Sequence, residues 1–476
     1  MNNQKLPPIL ILIFLTSWLN TIIFAQTKEN VIDSLMKSLS QRGQFNGSIL
    51  VVEHGNLLYK NGFGKANMKN KIDFTPSTSC YIASLTKQFT AMGIMILAEQ
   101  HKLDYNDPLS KYFPQFPPYA DKVTLKHLLN HISGIPDYAL ELGLEHSGLT
   151  NTEVLKALLM QDSLNFTPGE RFEYSNSGYV LLAMIIEKVS VQPYHVFLKE
   201  NIFEPLNMKN TFVEDSSHPY LQERAHAYNR FGDETDYDLL TYGEGGIYSS
   251  VEDLFKWDQA LYTEKLVKAS TLEEAFSKVN LNDGSISNYG FGWGLGEYDG
   301  QKTTSHAGRY GGFNTYIKRF LNDRNTIIFL TNNDFKNMRA IGDAIINILY
   351  NKNYSLPKLS IADAMNLTFK VSGITSAIGQ YHSLKDNKDT TYDFDESELN
   401  ELGYQLLKLN KTAEAIEIFK LNVTSFPSSS NAFDSLGEAY MKHGDKELAI
   451  KNYKQSLELD PANSNALNML EKLNKQ

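Results

Sequence analysis

Three short motifs in this sequence place side chains at spacings suited to acyl transfer. In Ser84-Leu-Thr-Lys87 a spacing of three brings a hydroxyl and an amine onto one helical face, about a turn apart. An amine there accepts the hydroxyl proton as the oxygen attacks a carbonyl, provided that it is unprotonated. Desolvation and the positive potential of a helix N-terminus favour that state. The same N-terminus favours the oxyanion that forms on acylation. In Tyr174-Ser-Asn176 the phenol is suited to passing a proton to a leaving group and later activating water, while the asparagine amide holds a substrate carbonyl. In His306-Ala-Gly308, followed by Arg309 at the head of a strand pair, the glycine lets a substrate lie along the strand edge and meet backbone N–H groups.

Taken singly, each motif has a lookalike. Ser34-Leu-Met-Lys37 repeats the first, Tyr59-Lys-Asn61 the second and His146-Ser-Gly148 the third. Context separates them. Ser34 lies in a charged amphipathic stretch, Tyr59-Lys-Asn61 runs into Gly62 and reads as a hairpin turn, and His146 sits in a polar loop with no following strand. Ser84 instead heads the most apolar helix, residues 85–97, where a buried lysine without a task is costly. Tyr174 on its own reads better as a structural tyrosine, so the joint arrangement has to decide.

The elements that must position these residues follow from hydrophobic pattern. Residues 47–53 are rich in β-branched types and a second run follows His54-Gly55, which predicts a β-hairpin. Residues 103–240 mix helical periods with Pro and Gly punctuation. Strands are expected from Phe291 to Leu295, over 313–320 and over 326–331. Strands at both ends with helices between predict a sheet closed by distant parts of the chain, with a helical region inserted. Residues 354–395 read as a connector containing Pro357. Beyond it Leu402-Gly403, Ala415, Phe419 and Pro427 recur as Leu436-Gly437, Ala449, Tyr453 and Pro461, each pair offset by 34 residues.

That offset resembles the tetratricopeptide repeat, a two-helix unit, over residues 396–463, with a capping helix to follow. Two such units bury too little to stand alone and are expected to dock on a neighbouring domain or subunit. Ser84-x-x-Lys87, Tyr174-x-Asn176 and His306-x-Gly308, in that order, resemble the serine β-lactamase-like superfamily, specifically its class C β-lactamase, DD-peptidase and esterase branch. Supporting stretches are residues 128–138, 245–254 and Tyr289-Gly-Phe-Gly-Trp293. The fold class this implies is α/β: a β-lactamase-like domain with an antiparallel sheet flanked by helices and an inserted helical region, over 26–353, followed by an all-α repeat segment over 396–476.

The resemblance implies that Ser84 is the acyl-enzyme nucleophile, that Lys87 and Tyr174 form its proton-transfer network, that Asn176 binds substrate amide, and that the N–H groups of Ser84 and Arg309 form the oxyanion hole. No Ser-Asp-Asn motif accompanies Ser84, which argues against a class A β-lactamase. Where β-lactamases usually carry Lys-Thr-Gly this chain has His306-Ala-Gly308. A histidine is mostly neutral at pH 7 and attracts a substrate carboxylate less than a lysine does. Esters, small amides or D-amino-acid peptides are therefore favoured over efficient β-lactam hydrolysis. Strand alternation points the Arg309 side chain away from that of His306, against Arg309 supplying the missing cation. The alternative expectation is a catalytically idle penicillin-binding-like module whose repeats recruit a protein partner.

Composition excludes other classes. The chain has 476 residues, is 42% hydrophobic and 21% charged, and balances 45 basic against 55 acidic side chains for a net charge of −10. No Lys/Arg block supplies a nucleic-acid footprint. A single cysteine, Cys80, permits no intramolecular disulfide and reads as a buried thiol. His127 and His131 are four apart but lack the glutamate of a metalloprotease motif and read as structural. Trp257 and Trp293 read as core or cleft wall. No metal or organic cofactor is expected. Residues 1–25, with Lys5 before an apolar run broken by polar residues, read as an export signal cut after Ala25. The mature protein is then periplasmic or secreted without a stable membrane span, or membrane-anchored if the signal is uncleaved. Its expected partners are a small-molecule or peptide substrate and a protein met through the repeats.

Overall fold

A computed structural model describes residues 27–144, 146–214, 224–230, 232–235, 240–334 and 338–475. The expected export signal lies outside the described residues. Helix α1 (Lys28–Gln41) precedes the hairpin β1 (Gly47–Glu53) and β2 (Asn56–Phe63). The helical region contains α2 (Thr86–Glu99), α3 (Leu125–Leu129), α4 (Asn176–Ser190) and α5 (Val251–Ala260). The chain then returns through β3 (Gly294–Tyr298), β4 (Gln301–Tyr310), β5 (Phe313–Phe320), β6 (Asn325–Thr331) and α6 (Met338–Leu349). These strands form one sheet in the order β3-β4-β5-β6-β1-β2, antiparallel throughout.

The apolar runs of β1 and β6 are explained by burial on both faces. Leu50, Val52, Ile328 and Leu330 enter the core shared with α2, α4 and α5. Ile49, Val51, Ile327 and Phe329 enter a second core under α1 and α6. The hairpin turns at His54-Gly55, with φ of 50° and 78°. Tyr59-Lys60-Asn61 therefore lies inside β2, Tyr59 opposite Val51, and not in the expected turn.

Every residue of α2 from Thr86 to Leu97 is buried. Trp257 on α5 is fully buried and its indole N–H donates to Gln88 Oε1 at 3.0 Å, fixing α5 to the start of α2. Trp293 is likewise core. The strand expected from Phe291 begins only at Gly294. At Gly292, φ is 78° and a Cβ would stand 2.8 Å from the Lys87 carbonyl, so this segment is a turn pressed against the first turn of α2.

The segment expected as a connector is largely helical. Helix α7 (Ile361–Asp386) breaks at Gly373, where φ is 78° and ψ 174°, into two helices. Ile361, Met365, Ala377 and Tyr381 join the core of the repeat helices. Exposed Leu367 and Val371, together with the glycine break, blur the periodicity that would have revealed it. The repeats follow as α8 (Glu396–Lys408) with α9 (Thr412–Ser425), α10 (Ser430–His443) with α11 (Lys446–Leu459), and the final α12 (Ser464–Lys475). A Cβ on Gly403 would lie 2.4 Å from the Phe419 ring, and one on Gly437 3.0 Å from the Tyr453 ring, so the recurring small and aromatic residues are contact partners.

The repeat segment docks on the sheet domain, as its small core requires. Arg230 donates to Asp363 at 2.8 Å and to Glu401 and Ser360 at 2.5 Å each. Gln44 donates to the Lys358 carbonyl at 2.7 Å.

Candidate active site

Ser84 lies in a 3-10 turn (Ala83–Leu85) that leads directly into α2. The preceding Ala83 has φ of 46°, a conformation uncommon for a residue with a Cβ, and it sets the serine at the mouth of the helix, half-buried. Lys87, one turn on, is fully buried. Its Nζ makes three hydrogen bonds: to Ser84 Oγ at 3.1 Å, to Asn176 Oδ1 at 2.8 Å and to the Glu244 carbonyl at 3.1 Å. The Tyr174 ring centroid is 4.8 Å from the same nitrogen. The serine, the lysine and the Tyr174-x-Asn176 motif, distant in sequence, therefore converge on one amine.

Asn176 opens α4, and its backbone N–H donates to Asp137 Oδ2 at 2.6 Å. Asp137 is buried and also accepts the N–H groups of Ala139 and Leu140, at 2.9 Å each. The other side of the motif is held by His131, whose carbonyl accepts the Glu173 N–H at 2.9 Å and whose Nδ1 accepts the Ser175 N–H at 3.1 Å. His127 Nδ1 caps α3 by accepting the Thr124 N–H at 3.1 Å. Each of these two histidines thus satisfies a backbone N–H through Nδ1.

His306 lies within β4 and is 8% exposed. Its Nδ1 is 2.7 Å from the Ala307 carbonyl and must carry the proton there, so its Nε2 accepts from the Tyr289 hydroxyl at 2.8 Å. Burial, then the nearby Lys87 charge, push its pKa down to about 3, against the pull of the Ala307 carbonyl. His131 is held well below the usual histidine range, by burial first and then by Lys87 and His306. Both imidazoles are neutral at physiological pH.

Gly308 lacks a Cβ where close packing leaves no room for one. A Cβ there would meet the Ile82 carbonyl at 2.5 Å, Thr315 Oγ1 at 2.5 Å and Ala83 Cβ at 3.0 Å. The vacated space goes to the turn that carries Ser84, which packs directly on β4. Arg309, next along the strand, points to the exposed face and grips Asp334 through two hydrogen bonds of 2.9 Å. Asp334 and, more weakly, Glu401 hold its pKa above the usual arginine value against partial desolvation. Its side chain does not replace the missing lysine. Tyr289, Asp137 and the Glu244 carbonyl carry no motif of their own in the sequence, although the first two lie in stretches that carry the resemblance.

With this geometry in place, the β-lactamase family model matches residues 29–352. The chain belongs to the β-lactamase family. A tetratricopeptide repeat model matches residues 430–463. Among relatives of this β-lactamase-family chain, penicillin-binding protein 4* of Bacillus subtilis (strain 168) is 36% identical over 360 residues, 70% of this chain and 78% of that protein. The putative penicillin-binding protein PbpX of the same organism is 34% identical over 298 residues, covering 61% and 71%. Among solved structures, the octameric penicillin-binding protein homologue from Pyrococcus abyssi aligns with a TM-score of 0.61 at 27% identity, over 71% of this chain and 81% of its own. At family level the β-lactamase-like domain is thus that of a serine hydrolase. Among the described residues no single helix is long and apolar enough to cross a membrane.

Proposed function

We propose that the protein is an exported serine hydrolase that cleaves ester or amide carbonyls through an acyl-enzyme on Ser84. The observation that carries this reading is the hydrogen bonding of Lys87. An uncharged amine has two N–H groups and one lone pair. Asn176 Oδ1 and the Glu244 carbonyl can only accept, so when the amine gives up its third proton they take the two remaining N–H groups and leave the lone pair to the Ser84 hydroxyl.

In the proposed reaction Ser84 Oγ attacks the substrate carbonyl carbon and its proton passes to Lys87 Nζ. The oxyanion is met by the backbone N–H groups of Ser84 and Arg309. The proton then travels through the Tyr174 hydroxyl to the departing oxygen or nitrogen, leaving an ester on Ser84. Water enters, gives its proton back through Tyr174 and Lys87, and releases the acid. The NH2 end of Asn176, opposite the oxygen bound by Lys87, holds the substrate carbonyl. Neutral His306 offers no cation to a substrate carboxylate, which favours neutral esters, small amides and D-amino-acid peptides. β-Lactams and peptidoglycan stem peptides remain substrates to test.

The test is intact-protein mass spectrometry after brief exposure to a fluorophosphonate or a penicillin, with turnover of nitrophenyl esters, a chromogenic cephalosporin and D-alanyl peptides. Wild type is expected to gain one adduct and Ser84→Ala none. Turnover surviving in Ser84→Ala overturns the nucleophile. Inactivity and lack of adduct in wild type favour the idle binding module. Export is tested by the N-terminal mass of protein recovered outside the cytoplasm, expected to begin at Gln26.

A further inference from the structure

We propose that His131 is a positioning residue of the Ser84 site: its imidazole sets the height and tilt of the Tyr174 ring over Lys87, and through it the delivery of a proton to the leaving group. The inference rests on the acyl-enzyme reading above and deepens it.

His131 brackets Tyr174 on both sides. Its carbonyl takes the N–H of Glu173 and its Nδ1 the N–H of Ser175, so the residue between them is fixed at both ends. The Tyr174 ring lies on the imidazole at 4.2 Å between centroids, inclined by 33°. Behind it, Tyr289 meets the same imidazole edge-on at 4.6 Å and Tyr179 lies at 5.1 Å. The imidazole is thus a spacer with a hydrogen-bond acceptor in its plane. Since Nδ1 accepts, the proton is on Nε2. That nitrogen is buried without a hydrogen-bond partner among the described residues. A buried N–H left unpaired is unfavourable, and an apolar side chain would avoid it. An apolar side chain would also lose the bond from Ser175. The backbone of His131 is itself held in the left-handed region, with φ of 55°, which aims the ring at the motif and not at solvent.

A positioning role makes a prediction that mere structural support does not. Proton delivery by Tyr174 matters little when the leaving group is a nitrophenolate and much when it is an alkoxide. The experiment compares kcat/KM for a nitrophenyl ester and for the ethyl ester of the same acid in wild type, His131→Leu, His131→Gln and His131→Asn. A loss of folded protein lowers both rates equally and cancels in their ratio. The ratio of nitrophenyl to ethyl ester turnover is expected to rise about tenfold or more in His131→Leu. It is expected to rise less in His131→Asn, whose Oδ1 falls close to the place of Nδ1 and keeps the bond from Ser175 although the ring is lost. His131→Gln, with its acceptor one carbon too far, should behave as the leucine variant does and serves if that variant does not fold. An unchanged ratio in the leucine or glutamine variant, or an equal rise in the asparagine variant, overturns the inference and leaves the hydrolase reading intact. Absence of Ser84-dependent turnover in wild type overturns both.

Discussion

The Tyr289 hydroxyl donates a 2.8 Å hydrogen bond to Nε2 of His306, while the other imidazole nitrogen is taken by the Ala307 carbonyl. Both polar atoms of His306, the side chain proposed to face a substrate carboxylate, are therefore engaged inside the protein. His306→Lys is expected to raise kcat/KM for a carboxylate-bearing substrate relative to a neutral ester by about tenfold, the order of a charge-assisted hydrogen bond. An unchanged ratio would remove position 306 from substrate selection.

Acid should unfold the protein early. His306 titrates near 3 in the folded chain and near 6.5 when unfolded, and His131 is displaced in the same direction. Between those values the unfolded chain binds more protons, so stability is complete above 6.5 and falls as the pH drops toward 3. The slope is roughly 1.4 kcal/mol per pH unit for each such histidine. Urea midpoints from pH 7 to 4 should fall steeply in wild type and less steeply in His306→Gln, which keeps a donor and an acceptor but cannot titrate. Equal slopes in both would contradict a neutral buried imidazole.

The repeat helices offer a steric test. Gly403→Ala drives a methyl into the Phe419 ring at 2.4 Å, whereas Gly437→Ala meets Tyr453 at 3.0 Å. The first should cost about 1–3 kcal/mol of stability, as overpacking does, and the second less. Adding Phe419→Leu should recover part of the first loss. Thermal melting of the full chain reads all three, and a Gly437→Ala variant weaker than Gly403→Ala would refute the contact.

At the seam, Arg230 is almost buried yet joins the sheet domain to Asp363 and Glu401 of the repeat segment, themselves partly exposed. Arg230→Ala should cost roughly 1–3 kcal/mol, below the value for a fully buried pair because water screens the carboxylates. Limited proteolysis should cut within 354–395 sooner in the variant. Identical digestion patterns would mean that other contacts hold the seam.

How far the sequence could be read depended on whether a residue's role was local. Ile49 to Val52 and Ile327 to Leu330 are apolar at every position because both faces are covered, and that run is visible without coordinates. The 34-residue offset was legible because Gly403 and Phe419 meet within one repeat. The turn at Gly292 and the packing at Gly308 were hidden because each answers to a segment far away in the chain, the start of α2 and the Ser84 turn. His131 showed no periodicity that would set it apart from a core histidine. Its partners Ser175, Tyr174 and Tyr289 come from two other parts of the sequence.

Strand β1 carries its own timetable. Gly47 pairs with Thr331 on one side and with Phe63 on the other, so a ribosome that has released the hairpin still lacks the neighbour it needs. The other edge of β1, facing β6, must wait until almost the whole domain has been translated, and contacts so remote along a chain close slowly.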